Sequence, residues 1–182
     1  MRQAAVKKGI NKRVFYGKSG LSNQRSLHDC KTESEQNLLN LLNSISHMHD
    51  FILTVDNDVG FAKKVERNLR YKDSNNTNLL ILAVKQGKVG VVKKLLKAAI
   101  RVYKGLRSEF QSFINAQDKT GKTALHYAVY DKNFELVQLL LDFGASYKIY
   151  DQHNNTPKFL LKGYARVGIC TVSVNSILNN LN

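Results

Sequence analysis

Apolar residues in the second half of the chain recur at the spacing of an α-helix. Four aliphatic residues lie on one face of a helix predicted over 134–143: Leu136, Val137, Leu140 and Leu141. A shorter apolar stretch, ALHYAVY, predicts another helix over 124–130. Together the two stretches predict a pair of antiparallel helices, which needs neighbours to bury its apolar face.

The same pattern occurs elsewhere in the chain. The stretch from Asp73 matches the stretch from Asp118 at a shift of 45, and Asp151 begins a third segment at a shift of 33. Twelve additional residues follow Ala99 in the first of these segments. We expect this insertion to lengthen the link between two repeats and to leave the repeats intact. Recurrence at about 33 residues is typical of stacked helical repeats.

The segment from Asp118 resembles the ankyrin repeat. Where that family has D-x-x-G-x-T-P-L-H-x-A, a second helix ending in Leu-Leu, and then Gly-Ala, this chain has Asp118, Gly121, Thr123, Ala124, Leu125, His126, Ala128, Leu139-Leu140-Leu141 and Gly144-Ala145. The notable departures are Ala124 for proline and Lys132 for glycine. The resemblance implies an all-α fold, an ankyrin-repeat solenoid of stacked antiparallel helix pairs with short β-hairpin loops.

The flanking segments match the family pattern less closely. Asn76, Asn78 and Ile81 replace the turn glycine, the threonine and the histidine in the segment from Asp73. The last segment keeps Thr156-Pro157 but has Phe159 at the histidine position, as expected for a terminal repeat with one face in water.

Upstream of these repeats, TESEQNLLNLLNSISHMHDFIL predicts a helix with Thr32 as its N-cap and an apolar stripe at Leu38, Leu41, Leu42 and Ile45. DVGFAKKVERNL then matches KVGVVKKLLKAA at a step of 30.

The chain is thus divided into five predicted segments: a basic flexible N-terminal arm (1–31), a degenerate helical capping repeat (32–72), an ankyrin repeat with an inserted linker (73–117), an ankyrin repeat (118–150) and a C-terminal capping ankyrin repeat (151–182).

Two tripeptides, Gly17-Lys18-Ser19 and Gly121-Lys122-Thr123, look like the end of a phosphate-binding loop. Such a loop needs another glycine five residues earlier, so that backbone N–H groups surround the phosphate. Lys12 and Ala116 occupy those positions. We therefore interpret Gly121 as a turn residue with positive φ, Lys122 as an outward-pointing residue on the hairpin, and Thr123 as a helix N-cap.

Charge is distributed unevenly along the 182 residues. The net charge is +14, yet residues 118–182 have seven Lys/Arg against five Asp/Glu, so the first 117 residues account for most of the excess. This asymmetry favours an acidic partner for the N-terminal two-thirds, and a generally lysine-rich, soluble composition is the alternative. No apolar run reaches the roughly 18 residues of a membrane-spanning helix.

Candidate chemistry is sparse. His126 has no Ser, Cys or Asp partner by spacing, and the resemblance implies a structural role in which its ring bonds the backbone of adjacent repeats. His47 and His49 are two apart and point to different sides of a helix, which disfavours a shared metal. Cys30 and Cys170 are far apart and are expected to be free thiols. We predict no enzymatic activity, no cofactor and no metal.

The resemblance instead implies recognition of a protein through hairpin tips and the exposed face of each first helix. On this chain the predicted partner-binding residues are Lys119, Thr120, Lys122, Tyr127, Tyr130, Tyr150, Gln152, His153 and Asn155, with Asn75 and Thr77 at the corresponding tip of the preceding repeat. Tyrosines supply wide contact surface at low entropic cost. An inhibitor resembling the IκB-type ankyrin proteins is a special case of this prediction.

The alternative is a polyanion binder, for nucleic acid or an anionic membrane. Its candidate residues are Lys7, Lys8, Lys12, Arg13 and Lys18 in the arm and Lys88, Lys93, Lys94, Lys97, Arg101, Lys104 and Arg107 further on.

Small ankyrin proteins rich in Lys and Asn look like those of obligate intracellular bacteria. The protein partner of the main prediction is expected to be an acidic protein or a host protein. The chain is expected to be a monomer, either cytoplasmic or exported without a cleaved signal peptide.

Overall fold

Eight α-helices dominate the part of the chain that the structure describes. A computed structural model describes residues 58–169 and 171–181, together with positions 36, 39, 40 and 42–44. The helices are α1 (Val59–Arg70), α2 (Leu79–Lys85), α3 (Val89–Val102), α4 (Arg107–Ile114), α5 (Ala124–Tyr130), α6 (Phe134–Asp142), α7 (Pro157–Arg166) and α8 (Thr171–Asn179). Within these ranges, none of the helices is long and apolar enough to cross a membrane.

The helices pack in consecutive pairs that stack on one another. α2 contacts α3, α5 contacts α6 and α7 contacts α8. The first helices form one row, in which α5 lies between α2 and α7, and the second helices form another, in which α6 lies between α3 and α8. α1 packs against α3 and α2 at the N-terminal end of the stack. The predicted all-α solenoid is confirmed.

The stacked pairs share one continuous apolar core. Its fully buried members are mainly aliphatic residues at helical spacing, including Leu80, Leu95, Leu96, Leu125, Leu136, Leu140 and Leu161. The sequence from Gly163 onward, which departs most from the family pattern, still contributes Val174 and Ile177 to this core. Because each helix pair buries its apolar face against the next pair, the repeats stabilise one another.

A polar side chain caps the start of each first helix. Thr123 accepts a hydrogen bond from the N–H of His126 at the start of α5, and Asn78 accepts one from the N–H of Ile81 at the start of α2. Thr156 does the same for Phe159 in α7, where Pro157 follows as the first helical residue. These caps satisfy N–H groups that have no partner inside the helix. The predicted N-cap role of Thr123 is confirmed.

Left-handed backbone occurs at the same place in each hairpin. Gly121 has φ of +74°, as predicted, and a Cβ there would lie 3.0 Å from the backbone nitrogen of Gln152. Asn76 and Asn154 adopt φ of 60° and 58° at the equivalent positions. Asparagine tolerates this conformation better than most residues. The departure from glycine therefore leaves the hairpin geometry unchanged.

The twelve-residue insertion is more than a longer link, which corrects the sequence prediction. α3 continues to Val102, and the chain then forms a separate helix, α4. Phe113 and Ile114 of α4 are buried in the core, as is Tyr103 just after α3. The signal was present in the sequence, since Leu106, Phe110, Phe113 and Ile114 follow helical spacing.

The predicted N-terminal capping helix is described only in part. The described positions between 36 and 44 are helical, and Leu42 is fully buried in the core. Thr32, Leu38, Leu41 and Ile45, together with the predicted basic arm (1–31), lie outside the described residues. The five predicted segments stay predictions.

Candidate functional site: hairpin tips and the first-helix face

An aspartate organises the hairpin that precedes each first helix. Asp118 Oδ1 accepts hydrogen bonds from the N–H groups of Thr120 (2.8 Å) and Lys122 (3.1 Å). Asp73 and Asp151 make equivalent bonds to the N–H groups two and four residues further on, at 2.7–2.9 Å. Side-chain to backbone bonds of this kind fix tight turns. The three aspartates align in the sequence at shifts of 45 and 33, and their shared role becomes visible only in these hydrogen bonds.

Neighbouring hairpins are bonded to each other through their backbones. The N–H of Lys119 donates to the carbonyl of Asn75 (2.9 Å), and the N–H of Gln152 donates to the carbonyl of Thr120 (3.1 Å). The side-chain amide of Gln152 also donates to the carbonyl of Lys119 (2.6 Å). The three tips therefore form one continuous row with fixed spacing.

Two tyrosines on α5 connect the helix face to these hairpins. The Tyr127 hydroxyl donates to Asp118 Oδ2 (2.5 Å), and the Tyr130 hydroxyl donates to Asp151 Oδ2 (3.2 Å). Burial of Tyr127, together with its bond to the Asp118 carboxylate, raises the pKa of its hydroxyl to about 12. Burial alone would raise the pKa of Asp118, but the hydrogen bonds from Tyr127, Thr120 and Lys122 outweigh it and lower that pKa. Both phenols are therefore proton donors at neutral pH, and Asp118 is ionised.

Lysine side chains lie against the same tyrosine rings. Lys122 Nζ is 5.0 Å from the ring centroid of Tyr130 and 6.0 Å from that of Tyr127. Lys85 Nζ of α2 is 4.6 Å from the Tyr127 centroid. These distances are within the range of cation–π attraction. The prediction that Lys122 points outward from the hairpin is therefore wrong, because its half-buried side chain packs against the aromatic face of α5.

Most of the remaining predicted residues lie along the tips, but Thr77 is 5% exposed, so the prediction that it belongs to the exposed tip is wrong. Lys119, Thr120, Gln152 and His153 are exposed, and Asn155 is half-buried. Tyr150 is 63% exposed, and its carbonyl accepts a bond from the Gln117 amide (2.9 Å). The structure thus groups Lys122, Tyr127 and Tyr130 on the helix face, and Lys119, Thr120, Gln152 and His153 along the tips beside it.

His126 links two repeats. Its Nδ1 accepts the backbone N–H of Thr123 (3.1 Å), and its Nε2 lies 3.1 Å from the carbonyl of Asn155. Because a backbone N–H can only donate and a carbonyl can only accept, the ring is neutral with its proton on Nε2. Burial is the main cause of the lowered pKa of His126. The arrangement matches the structural role that the family resemblance implies.

The backbone around Gly121-Lys122-Thr123 explains the motif without a phosphate. The N–H of Lys122 donates to a carboxylate, and Thr123 caps a helix. Gly17-Lys18-Ser19 lies outside the described residues.

Comparison with protein families classifies the chain. The family model for ankyrin repeats (3 copies) matches residues 30–153, more than half of the chain. The chain belongs to the ankyrin repeat family. The match includes the stretch between residues 32 and 72, the predicted degenerate capping repeat.

Curated proteins match parts of this ankyrin region. Ankyrin repeat protein L271 of Acanthamoeba polyphaga mimivirus is 45% identical over 49 residues, which is 27% of this chain and 7% of that protein. Caskin-2 of Xenopus laevis is 46% identical over 74 residues, which is 40% of this chain and 6% of that protein. The chain therefore spans only a small fraction of the length of these relatives.

A solved structure has the same fold. A chain in the crystal structure of the yeast ribosomal protein Rps3 in complex with its chaperone Yar1 matches with a TM-score of 0.59 and 20% identity, covering 76% of this chain and 89% of that chain. At this level of identity the similarity shows the fold alone.

The basic residues of the polyanion alternative fall in two places. Lys93, Lys97, Arg101, Lys104 and Arg107 are exposed on α3, in the turn after it and at the start of α4, and Lys88 and Lys94 are half-buried. The predicted arm residues Lys7, Lys8, Lys12, Arg13 and Lys18 lie outside the described residues, as do His47, His49, Cys30 and Cys170. Among the described residues, no group of three or more His, Cys, Asp or Glu could hold a metal ion.

Proposed function

We propose that this ankyrin protein is a non-enzymatic interaction module that binds a protein partner through its hairpin tips and the exposed face of its first helices. Ankyrin repeats generally serve as protein–protein interaction modules. The observation that supports this face is the junction at α5, where Lys122 lies over Tyr130 beside the row of bonded tips.

The tip row is ordered before any partner arrives. Backbone bonds join Lys119 to Asn75 and Gln152 to Thr120, and an aspartate fixes each turn. A surface that is already ordered loses little conformational entropy on association. This rigidity favours a binding surface over a merely solvated row of loops.

The chemistry of the face favours an acidic partner with apolar side chains. Asp118 and Asp151 are buried and bonded to tyrosine hydroxyls, whereas Lys119 is exposed and Lys122 lies on an aromatic surface. Tyrosines have an apolar ring and a polar hydroxyl, which is why they are frequent at interfaces. The positive charge of the face therefore lies beside rings that can pack against a partner.

The proposal is tested with the triple variant Lys119→Ala, Lys122→Ala and Tyr130→Ala. Affinity purification followed by mass spectrometry identifies proteins retained by the wild-type chain, and we expect the variant to lose them. We expect the variant to stay folded by circular dichroism, with a melting temperature lowered by several degrees at most, since Lys119 is exposed and the half-buried Lys122 and Tyr130 lie outside the apolar core.

The matched control is Lys93→Ala with Lys97→Ala, which removes two exposed lysines from α3. The control should retain the partners. Retention of the same proteins by the triple variant would show that the face assignment is wrong.

A further inference from the structure

We propose a second binding site, formed by the insertion between α3 and α4, that takes an acidic peptide segment carrying one large apolar side chain. The site is a groove of about 280 Å³ lined by Ile100, Tyr103, Lys104, Gly105, Arg107 and Phe110. It lies on different helices from the tip row and the α5 face, so it is independent of the function proposed above.

The groove has an apolar floor and a basic rim. Exposed Ile100 and half-buried Phe110 supply the accessible apolar surface, Tyr103 adds only a small part because it is 4% exposed, and Lys104 and Arg107 are exposed beside them. Ile100 is 48% exposed, and the neighbouring Leu106 is 51% exposed. Apolar surface left open next to positive charge is a feature of interaction sites.

The insertion holds this groove in a fixed shape. Gly105, with φ of +80°, turns the chain from α3 into α4, so that residues on both sides of the turn line the same groove. α4 is anchored from below, because Phe113 and Ile114 are buried and the Asn78 amide donates to the carbonyl of Phe113 (2.9 Å). The floor is thus ordered in advance, which lowers the entropic cost of binding.

Charge complementarity selects the occupant. No Asp or Glu occurs between Asp73 and Glu109, whereas eight Lys and Arg residues do. The chain's own residues 1–31 have eight Lys and Arg against one Asp, and a second copy of the chain has a net charge of +14. Neither has the net negative charge that complements a basic rim, so the proposed occupant is a separate, acidic segment.

The shape and burial of the groove residues favour a peptide over nucleic acid, a membrane or a small molecule as the ligand. Tyr103 is 4% exposed and Phe110 is half-buried, so they do not offer the exposed ring faces on which nucleic-acid bases stack. The apolar side of α3 is buried in the core, so this helix cannot insert an apolar face into a bilayer. At about 280 Å³ the groove is slightly smaller than a typical small-molecule pocket and suits one apolar side chain.

The test uses the full chain and a fluorescein-labelled dodecapeptide of Asp, Glu, Gly and Ser with one central Leu, measured by fluorescence anisotropy. We expect this probe to bind more tightly than a matched peptide with Ser in place of Leu, by roughly tenfold, the scale set by burial of one apolar side chain. Ile100→Ser should remove that difference without changing the charge.

Charge variants at the groove and on α3 separate binding in the groove from diffuse electrostatic attraction. Lys104→Glu with Arg107→Glu should weaken binding of the Leu peptide by at least about tenfold. Lys93→Glu with Lys97→Glu makes the same change of charge on α3, outside the groove lining, and should have a much smaller effect. Circular dichroism at 222 nm checks that each variant is folded.

Three outcomes would overturn the proposal. Equal binding of the Leu and Ser peptides would show that the apolar groove does not hold the Leu side chain. An equal loss of binding affinity in the two pairs of charge variants would show that the attraction is non-specific electrostatics. Tighter binding of a single-stranded oligonucleotide or of vesicles with phosphatidylserine than of the Leu peptide, with the same sensitivity to Lys104→Glu and Arg107→Glu, would assign the surface to another class of ligand. None of these results bears on the tip row.

Discussion

The repeat from Asp73 and the repeat from Asp118 each cap their first helix and bond it to a later segment of the chain, but they do so with different side chains. In the later repeat, Thr123 caps α5 and His126 bonds the carbonyl of Asn155 in the next repeat. In the earlier repeat, Asn78 does both: its oxygen accepts the N–H of Ile81 (2.9 Å) and its amide donates to the carbonyl of Phe113 (2.9 Å). One side chain with a donor and an acceptor replaces a threonine and a histidine.

This substitution explains why Ile81 is tolerated where the family pattern has histidine. With the link assigned to Asn78, position 81 needs no polar group, and Ile81 is buried in the core at 1% exposure. The partner also differs, since Asn78 bonds the inserted helix α4 whereas His126 bonds the hairpin of the next repeat. A mismatch to a family pattern can therefore mark a relocated interaction and need not mean a lost one.

We predict that the apolar cores of the two repeats contribute about equally to the free energy of unfolding. Leu95→Ala and Leu140→Ala should each lower the free energy of unfolding by about 2–5 kcal/mol, because both side chains are fully buried. Urea denaturation followed by circular dichroism measures this loss. Ile100→Ala, at an exposed position on the same helix as Leu95, should change it far less. A small loss for only one of the two leucines would contradict a shared core.

Two substitutions at Asn78 separate its role as a helix cap from its hydrogen bond to α4. Asn78→Ala removes the helix cap and the bond to Phe113, and it should lower the free energy of unfolding by about 2 kcal/mol. Asn78→Thr keeps a cap but lacks the amide donor, so urea denaturation should show about half of that loss. If Asn78→Thr is as stable as the wild type, the bond to α4 contributes nothing.

The histidine link should make one repeat sensitive to acid. The pKa of His126 is lowered on folding, mainly by burial, so below pH 6.5 the unfolded chain binds more protons at this position than the folded chain does. The free energy of unfolding should therefore fall as the pH is lowered from 7 towards 5. His126→Gln should cost about 1 kcal/mol at pH 7 and flatten that dependence. Urea titrations at pH 5, 6 and 7 measure both effects, and an unchanged pH slope in the variant would contradict the assignment.

The sequence was most informative where a pattern repeats locally. The spacing of Leu136, Val137, Leu140 and Leu141 predicted α6 to within a residue, and Thr123 was correctly assigned as the cap of α5. It was least informative about side-chain direction. Lys122 packs on tyrosine rings that are close only because Tyr127 and Tyr130 lie on one face of α5, and the bond between Asn78 and α4 crosses 35 residues.

By itself, the sequence determined that this protein is a stack of helix pairs. The spacing of apolar residues, the helix caps and the turn residues each depend on residues that are only a few positions apart in the chain. Only the tertiary structure decided that Asn78 anchors the inserted helix α4 and that the tips are bonded into one row. Those features depend on contacts between residues 30 to 45 positions apart, and such contacts are fixed by the packing of whole repeats.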